Sequence, residues 1–411
     1  MNIVGLNAFH GDASAAIIVD GQLVAAAEEE RFTRIKHAAG FPAQAIRYCL
    51  SAANVAPQEI DHVVLARDPG ARLGAKLRFA ATMPRLAFQR LKVWQKFATI
   101  QEELGRALDI APETIKAQIH RVEHHQAHLA SAFFVSPFQS SALLSVDGLG
   151  DFASTMWGDG DGDKMNIRGA IAFPHSLGIF YTALSQFLGF WKYGDEYKVM
   201  GLGAYGQPSY REAFKKIISF DESDGFRLNL KYFCHHKSGA EMSWGEGEPV
   251  LGKLFSENLS ELLGAPREKE APIEQRHYDI AASLQARLED VMIHLVSRLQ
   301  RATGQNKLCM AGGVAYNCVA NGRILRETPI ENIYVPAAAG DAGLAIGAAY
   351  HVWHQTLGRP RDFEMTHAYW GPAFSNDQLK QSLESKSLGA DCRVRELPCE
   401  ILSQRVAAEI A

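Results

Sequence analysis

Apolar and polar positions along the chain first resolve into a short series of strands. Ile3–Ala8 is an apolar run that ends in His10-Gly11-Asp12, and Ser14–Val19 is a second run. Asp20-Gly21 carries a hairpin turn signal, and Gln22–Ala27 reads as a third strand. A charged segment follows, Glu28 to His37. Pro42–Leu50 then shows helical spacing, with Ala43, Ile46 and Leu50 on one face, and Val63–Ala66 is a short buried strand. The opening pattern returns at Ala142. Ala142–Val146 is an apolar strand ending in Asp147-Gly148-Leu149-Gly150-Asp151, Phe152–Trp157 is the next, Asp159–Asp163 is a turn, and Met165–Ala172 is a third strand. Strand, Gly/Asp turn, strand, hairpin, strand therefore occurs twice, and the repeat predicts a duplicated fold. In both copies a turn of small residues can point backbone N–H groups at a phosphate. Two such copies facing each other enclose a cleft of the kind that holds a nucleotide.

Beyond the repeat, Leu177–Phe190 reads as an apolar helix. Ile273–Leu299 is the longest, with Ile280, Leu284, Leu288, Val291, Leu295 and Leu299 as its core stripe. Two strand–loop–helix units follow. Lys307–Ala311 runs into Gly312-Gly313-Val314-Ala315-Tyr316-Asn317, and Ile333–Val335 leads to Gly340-Asp341-Ala342-Gly343. Neither loop is a Walker A or a GxGxxG motif. Residues 208–268 are polar and mixed, as in a peripheral insertion. Arg72 to Lys96 interleaves basic and apolar residues, and Pro84 should divide it into two amphipathic helices.

The stretch Val122 to His128 carries the clearest candidate chemistry. His124 and His128 are one helical turn apart, which on a helix brings their Cβ atoms to about 5–6 Å. Two imidazoles held that way can grip one transition metal. They can equally be ordinary histidines at a helix start, bonded to backbone and water. Cys234-His235-His236 is a poor zinc site, because adjacent residues diverge, and Asp159–Asp163 lacks the terminal acid of a calcium loop.

Composition narrows the setting. The chain has 411 residues, 47% hydrophobic and 21% charged, which predicts a globular protein of two or more domains. A net charge of −4 gives no general pull toward nucleic acid or anionic lipid. No apolar run approaches a membrane span, and Met1–Leu6 reads as a strand and not a signal peptide. Six cysteines without a CxxC pair fit reduced thiols in the cytoplasm.

Taken in order, the segments His10-Gly11-Asp12-Ala13-Ser14, Glu29 to His37, His124-x-x-x-His128, Asp147-Gly148-x-Gly150, Lys198 to Leu202, Gly312 to Asn317 and Gly340 to Gly343 resemble the O-carbamoyltransferases of nodulation and antibiotic tailoring. The resemblance runs over essentially the whole chain. It implies an α/β, duplicated actin/Hsp70-like (RNase H-like) domain similar to the tRNA threonylcarbamoyl-transfer protein. Residues 1–130 and 131–360 would be its halves, and 361–411 the start of a carbamoyl-phosphate-activating domain that this sequence leaves incomplete. Within 361–411, Ala368–Pro372 and Cys392–Leu397 would be strands flanking a helix from Asn376 to Leu388.

Carried onto this chain, the resemblance implies that His124, His128 and Asp341 hold a divalent metal, iron(II), facing an adenylate phosphate. His10 would take the proton of the attacking hydroxyl, with Asp12 orienting it or the substrate. Asp147, Gly148, Gly150, Gly312, Gly313 and Asn317 would flank phosphate and nucleoside, and Lys198, Gly203 and Gly206 would form a nucleotide-side loop. Arg34, Lys36 and His37 match the family's charged loop, which we read either as a wall for anionic intermediates or as a solvated loop. The implied reaction moves a carbamoyl group from carbamoyladenylate, made from carbamoyl phosphate and ATP, to a hydroxyl of a sugar or natural-product acceptor. A homodimer is the assembly left open. The alternatives are a sugar-kinase-type phosphotransferase, which leaves the histidine pair unexplained, and a nucleotide-binding half with no activity of its own.

Overall fold

The computed structural model describes residues 1–82, 100–221, 225–239, 242–244, 247–386, 392 and 394–411. The expected basic helix pair is therefore described only in part. Leu73–Thr82 is helical, and the remainder up to Lys96 lies outside the described residues.

The chain falls into two compact units, Met1–Trp370 and Gly371–Ala411. The first opens with strands β1 (Asn2–Asn7), β2 (Ser14–Val19) and β3 (Gln22–Glu28), then helix α1 (Ala43–Ala53), β4 (His62–Leu65), α2 (Leu73–Thr82), α3 (Ile100–Leu108), β5 (Gln118–Arg121) and α4 (His124–Phe133). Then come β6 (Ser140–Gly150), β7 (Ala153–Asp161), β8 (Lys164–Ala172), α5 (Leu177–Phe187) and α6 (Glu196–Gly203). The insertion contributes β9 (Ile218–Asp221), β10 (Gly225–Leu228), β11 (Met242–Ser243) and β12 (Val250–Leu251). The closing run is α7 (Gln275–Thr303), β13 (Lys307–Ala311), α8 (Cys318–Glu327), β14 (Asn332–Tyr334) and α9 (Leu344–His351).

Sheet order bears out the duplication. The first sheet runs β3-β2-β1-β4-β5 and the second β8-β7-β6-β13-β14. In each, the first three strands are antiparallel and the last two add in parallel. Both faces of each central strand are buried, so its side chains divide between two cores. Val4 and Leu6 pack with Ile46, Leu50 and Leu104 on the outside of the first sheet. Leu144, Val146 and Met310 pack with Leu184, Leu284 and Leu288 on the outside of the second. Ile3 and Ile18 from the first sheet share a middle core with Leu143 and Cys309 from the second.

Helices α4 and α9 fill that middle core and are exchanged. α4 follows the first sheet but packs on β6, β7 and β13, whereas α9 follows the second sheet but packs on β1, β2 and β4. They also pack on each other. Glycines permit this closeness: a Cβ at Gly5 would lie 1.9 Å from the Ala345 carbonyl oxygen, and one at Gly347 would lie 1.9 Å from that of Ala127. The stripe of the long helix α7, Ile280 through Leu299, is buried as its spacing predicts.

Residues 361–370 belong to the first unit, ten residues past the expected boundary. Arg361 donates to the carbonyls of Phe134, Ser136 and Phe138, and Met365 N–H donates to Val135. The second unit has helices α10 (Asn376–Ser385) and α11 (Cys399–Ile410). The strands expected at Ala368–Pro372 and Cys392–Leu397 are not formed among the described residues. The Trp370 carbonyl accepts one bond from Ala26 N–H on the edge strand β3, at 3.1 Å, but a single bond is not a ladder, and laddered pairing is what makes a strand. Leu379, Leu383, Ile401, Leu402, Val406 and Ile410 are exposed. Among the described residues no helix is long and apolar enough to cross a membrane.

Candidate metal and nucleotide site

α4 begins where the two sheets meet, and two carboxylates and an arginine fix its first turn. Glu123 is its N-cap and accepts from Gln126 N–H at 2.8 Å, while Arg72 holds the same carboxylate at 2.6 Å. Asp151 Oδ2 accepts from His124 N–H at 2.9 Å and from Asp68 N–H at 2.8 Å. Negative charge at a helix N-terminus is favourable, and here it also sets the direction of the helix.

That direction aims His124 and His128 at one point, with Nε2 atoms 3.1 Å apart. Asp341, at the end of the loop before α9, places Oδ1 3.3 Å from His128 Nε2 and 3.7 Å from His124 Nε2. The structure adds a fourth donor. Asp147, read from sequence as part of a nucleotide turn, brings Oδ2 to 3.3 Å from His124 Nε2 and 3.9 Å from His128 Nε2. Its Oδ1 accepts from Gly313 N–H at 2.7 Å, so one carboxylate ties the end of β6 to the turn after β13. All four side chains are buried, and their donor atoms lie within 4.8 Å of one another. His125, between the two histidines in sequence, turns away and bonds Ser145 Oγ at 2.8 Å.

Electrostatics agree with a site built for a cation. Burial alone would push the His124 imidazole down, but the bonded Asp147 and nearby Asp341 outweigh it and raise the pKa to about 9. Burial and Asp341 both work against the Asp147 charge, yet His124 and His128 hold that carboxyl down to about 2. The Asp341 carboxyl likewise lies well below the usual range, its burial outweighed by His10, His128 and His124. Two imidazole nitrogens this close cannot both present lone pairs unless a proton or a metal stands between them. The Asp341 Oδ1 and His128 Nδ1 atoms are buried without hydrogen-bond partners. Two imidazoles and two carboxylates, with an unpartnered oxygen facing the nitrogens, fit a first-row divalent ion such as zinc, iron(II) or manganese.

Gly150 makes the arrangement possible. A Cβ there would lie 2.0 Å from His124 Cδ2, so only glycine leaves room for the ring. Above the cluster opens a cavity of about 390 Å³, lined by Asp147 and Asp341, by His10, Asp12 and His37 from the first half, and by Gly148, Gly313 and Asn317 from the second. His10 Nδ1 sits 2.7 Å from Asp341 Oδ2. Asp12 does not orient His10. Its Oδ1 pairs instead with His37 Nδ1 at 2.7 Å. Asp12 and His37 both have left-handed backbones, φ 55° and 56°, an uncommon conformation for such residues that recurs at functional sites.

The remaining residues divide. Asn317 caps α8 and joins a buried network, in which Gln285 Oε1 accepts from Asn317 Nδ2 and from Tyr181 OH, each at 2.9 Å. Gly312 lies at the end of β13 with φ 90°, where a Cβ would strike the Val146 carbonyl oxygen at 2.3 Å. Lys198, Gly203 and Gly206 correct the expectation of a glycine-rich nucleotide loop. Glu196–Gly203 is helix α6, and Gly203 and Gly206 let it approach α7, where a Cβ at Gly206 would lie 2.1 Å from the Tyr278 carbonyl oxygen. Lys198 is paired with Asp195, and these three residues are outside the cavity lining. Helical spacing of Val199 and Leu202, both buried, was the available signal for α6.

The family model described as Carbamoyltransferase N-terminus matches residues 2–350. The chain belongs to this carbamoyltransferase family. It is 40% identical over 404 residues to an uncharacterized protein of Synechocystis, covering 95% of this chain and 63% of that one. It is 33% identical over 414 residues to Nodulation protein NolNO of Sinorhizobium fredii, covering 98% of this chain and 55% of that one. The chain thus spans between about half and two thirds of the length of these curated relatives. Among solved structures it is similar to (R)-2-hydroxyglutaryl-CoA dehydratase component A of Acidaminococcus fermentans, at 13% identity and a TM-score of 0.46, covering 87% of this chain and 99% of that one.

Proposed function

We propose that this chain carries the transfer centre of an O-carbamoyltransferase. In this reading carbamoyladenylate, made from carbamoyl phosphate and ATP, binds in the cavity, and its carbamoyl group passes to a hydroxyl of a small-molecule acceptor. The observation that carries the proposal is the convergence of His124, His128, Asp147 and Asp341 beneath one cavity, in a chain of the carbamoyltransferase family. The four residues would hold a divalent ion, iron(II) by the resemblance. When bound, that ion supplies positive charge beside the adenylate phosphate.

The chain's own groups have distinct work. Asp147 and Gly313 bring the two phosphate-side turns together. Asn317, locked to Gln285, borders the nucleoside side. Asp341 turns Oδ1 to the two imidazoles, where it would help hold the ion, and Oδ2 to His10. With Nδ1 of His10 held there, Nε2 is left to accept the acceptor's hydroxyl proton. The acceptor oxygen bonds the carbamoyl carbon, the bond from that carbon to the phosphate oxygen breaks, and AMP leaves. Residues 371–411 we read as the start of an activating domain that makes the adenylate.

The test supplies the chain with carbamoyl phosphate, ATP and a panel of hydroxylated acceptors, with the C-terminal portion of the Synechocystis relative added separately. AMP and a carbamoylated product are expected, and both should vanish in His124→Ala and Asp341→Ala along with metal and AMP binding. Release of ADP with a phosphorylated acceptor would replace this reading with a phosphotransferase.

A further inference from the structure

The insertion between α6 and α7 reaches back across the cleft. Near the tip of the β11–β12 hairpin, the Gly247 carbonyl accepts from Ala39 N–H at 2.9 Å. Pro249 also abuts Gly11: a Cβ on that glycine would lie 3.4 Å from Pro249 Cγ. The hairpin's far end is fixed from the second half. Buried Gln186 donates to the Gly252 carbonyl at 3.0 Å and accepts from Leu254 N–H at 2.9 Å. A strap fastened at both ends thus closes the cavity beside the two loops that carry Asp12 and His37.

What the strap and the facing segment present to the cavity is apolar. Met242 and Leu251, register partners on the hairpin, line it with Leu254, and Tyr193, Tyr197 and Met200 line it from the start of α6. These elements are separate from the β6 and β13 turns assigned above to the adenylate. Among the described residues no lysine or arginine lines the cavity. Its carboxylates are also committed. Asp12 pairs with His37, and Glu196 accepts from Thr182 Oγ1 at 2.5 Å. Asp147 and Asp341 face the histidines. A polyamine entering here would lose its hydration against methionine, leucine and tyrosine with no free carboxylate to receive it, which is strongly unfavourable.

We infer that the acceptor is an uncharged hydroxyl compound with an aromatic or otherwise apolar body, which lies against Met242, Leu251 and Tyr193 while its hydroxyl meets the transfer centre. The inference rests on the transferase reading and names its substrate class.

Binding distinguishes the two. Calorimetric titrations of the full chain would use AMP alone, then methyl β-glucoside, 4-nitrophenyl β-glucoside and kanamycin, each with and without AMP. The two glucosides offer the same ring hydroxyls, and only the aglycone differs. At least about tenfold tighter binding of the nitrophenyl glucoside than of the methyl glucoside is expected, with kanamycin weaker than the nitrophenyl compound. Leu251→Glu should remove the preference and Met242→Ala reduce it, with an unchanged melting transition as the fold control. Equal binding of the two glucosides, tightest binding of kanamycin, or a preference that survives Leu251→Glu in a folded protein would overturn the inference. Failure of AMP to bind the unaltered chain would count against the transferase reading instead, and the glucoside comparison would still decide this one.

Discussion

Replacing Gly150 by alanine tests the site at its tightest point. The added Cβ would lie 2.0 Å from His124 Cδ2 and 2.5 Å from its Nε2. Real Cβ contacts essentially never fall under 3.0 Å, so the ring must retreat by about 1 Å, from 2.0 to 3.0, before the contact is even tolerable. Metal–ligand distances tolerate only about 0.2 Å. The ring cannot tilt away freely, because Asp151 fixes its backbone N–H and Asp147 bonds its Nε2. Loss of one well-placed ligand should weaken metal binding by about a hundredfold or more. Gly148→Ala is the matched control, two residues away on the same turn, where a Cβ would meet nothing within 4 Å. Titration with cobalt(II), followed by its visible absorption, reads both variants directly. We expect near-normal affinity in Gly148→Ala and a collapse in Gly150→Ala. Equal affinities in a folded Gly150→Ala protein would refute the argument that this glycine exists to seat His124.

Other outcomes follow from the same geometry. Asp147→Ala should cost metal affinity as Asp341→Ala does, although only Asp341 was expected as a ligand; calorimetry with zinc(II) measures both. Gln285→Leu leaves Tyr181, Asn317 and Glu289 each short of a buried partner, and should lower unfolding free energy in urea by about 2–3 kcal/mol. His351 is pushed by burial from 6.5 down to about 4. Its folded pKa lies below its unfolded one, so the unfolded chain takes the proton more readily. Stability should therefore be complete above about pH 6.5 and fall by on the order of 3 kcal/mol as pH drops toward 4. His351→Gln should flatten that part of the urea midpoint-versus-pH curve, and an unchanged slope would contradict the assignment.

Much of this fold was legible because it is written twice. The apolar strands and Gly/Asp turns near Ile3 and Ala142 recur at equal order in the two sheets, and repetition needs no knowledge of tertiary contacts. The histidine pair was visible because helical spacing alone puts His124 and His128 on one face. Asp341 followed from the resemblance. Asp147 was harder, since a carboxylate in a turn can serve a metal, a phosphate or the backbone, and here it serves the cluster and Gly313 N–H together. Gly203 and Gly206 misled for a related reason. A glycine marks close approach without saying to what, and their neighbour is α7 and not a ligand. The pairing of Asp12 with His37 is a contact across 25 residues fixed by two left-handed backbones, and no periodicity carries it.

The exchange of α4 and α9 has a mechanical consequence. The two histidines ride with the second sheet because α4 packs there, and Asp147 lies in its strand β6, while Asp341 pairs with His10, just past β1, and leads into α9, which packs on the first sheet. The donor set therefore straddles the seam between the two sheets. Any rotation that parts the sheets must lengthen the gap between the Asp341 carboxylate and the imidazoles, now 3.3 and 3.7 Å. A bound ion would act as a rivet across that seam, and its affinity would gauge how closely the two sheets are held together.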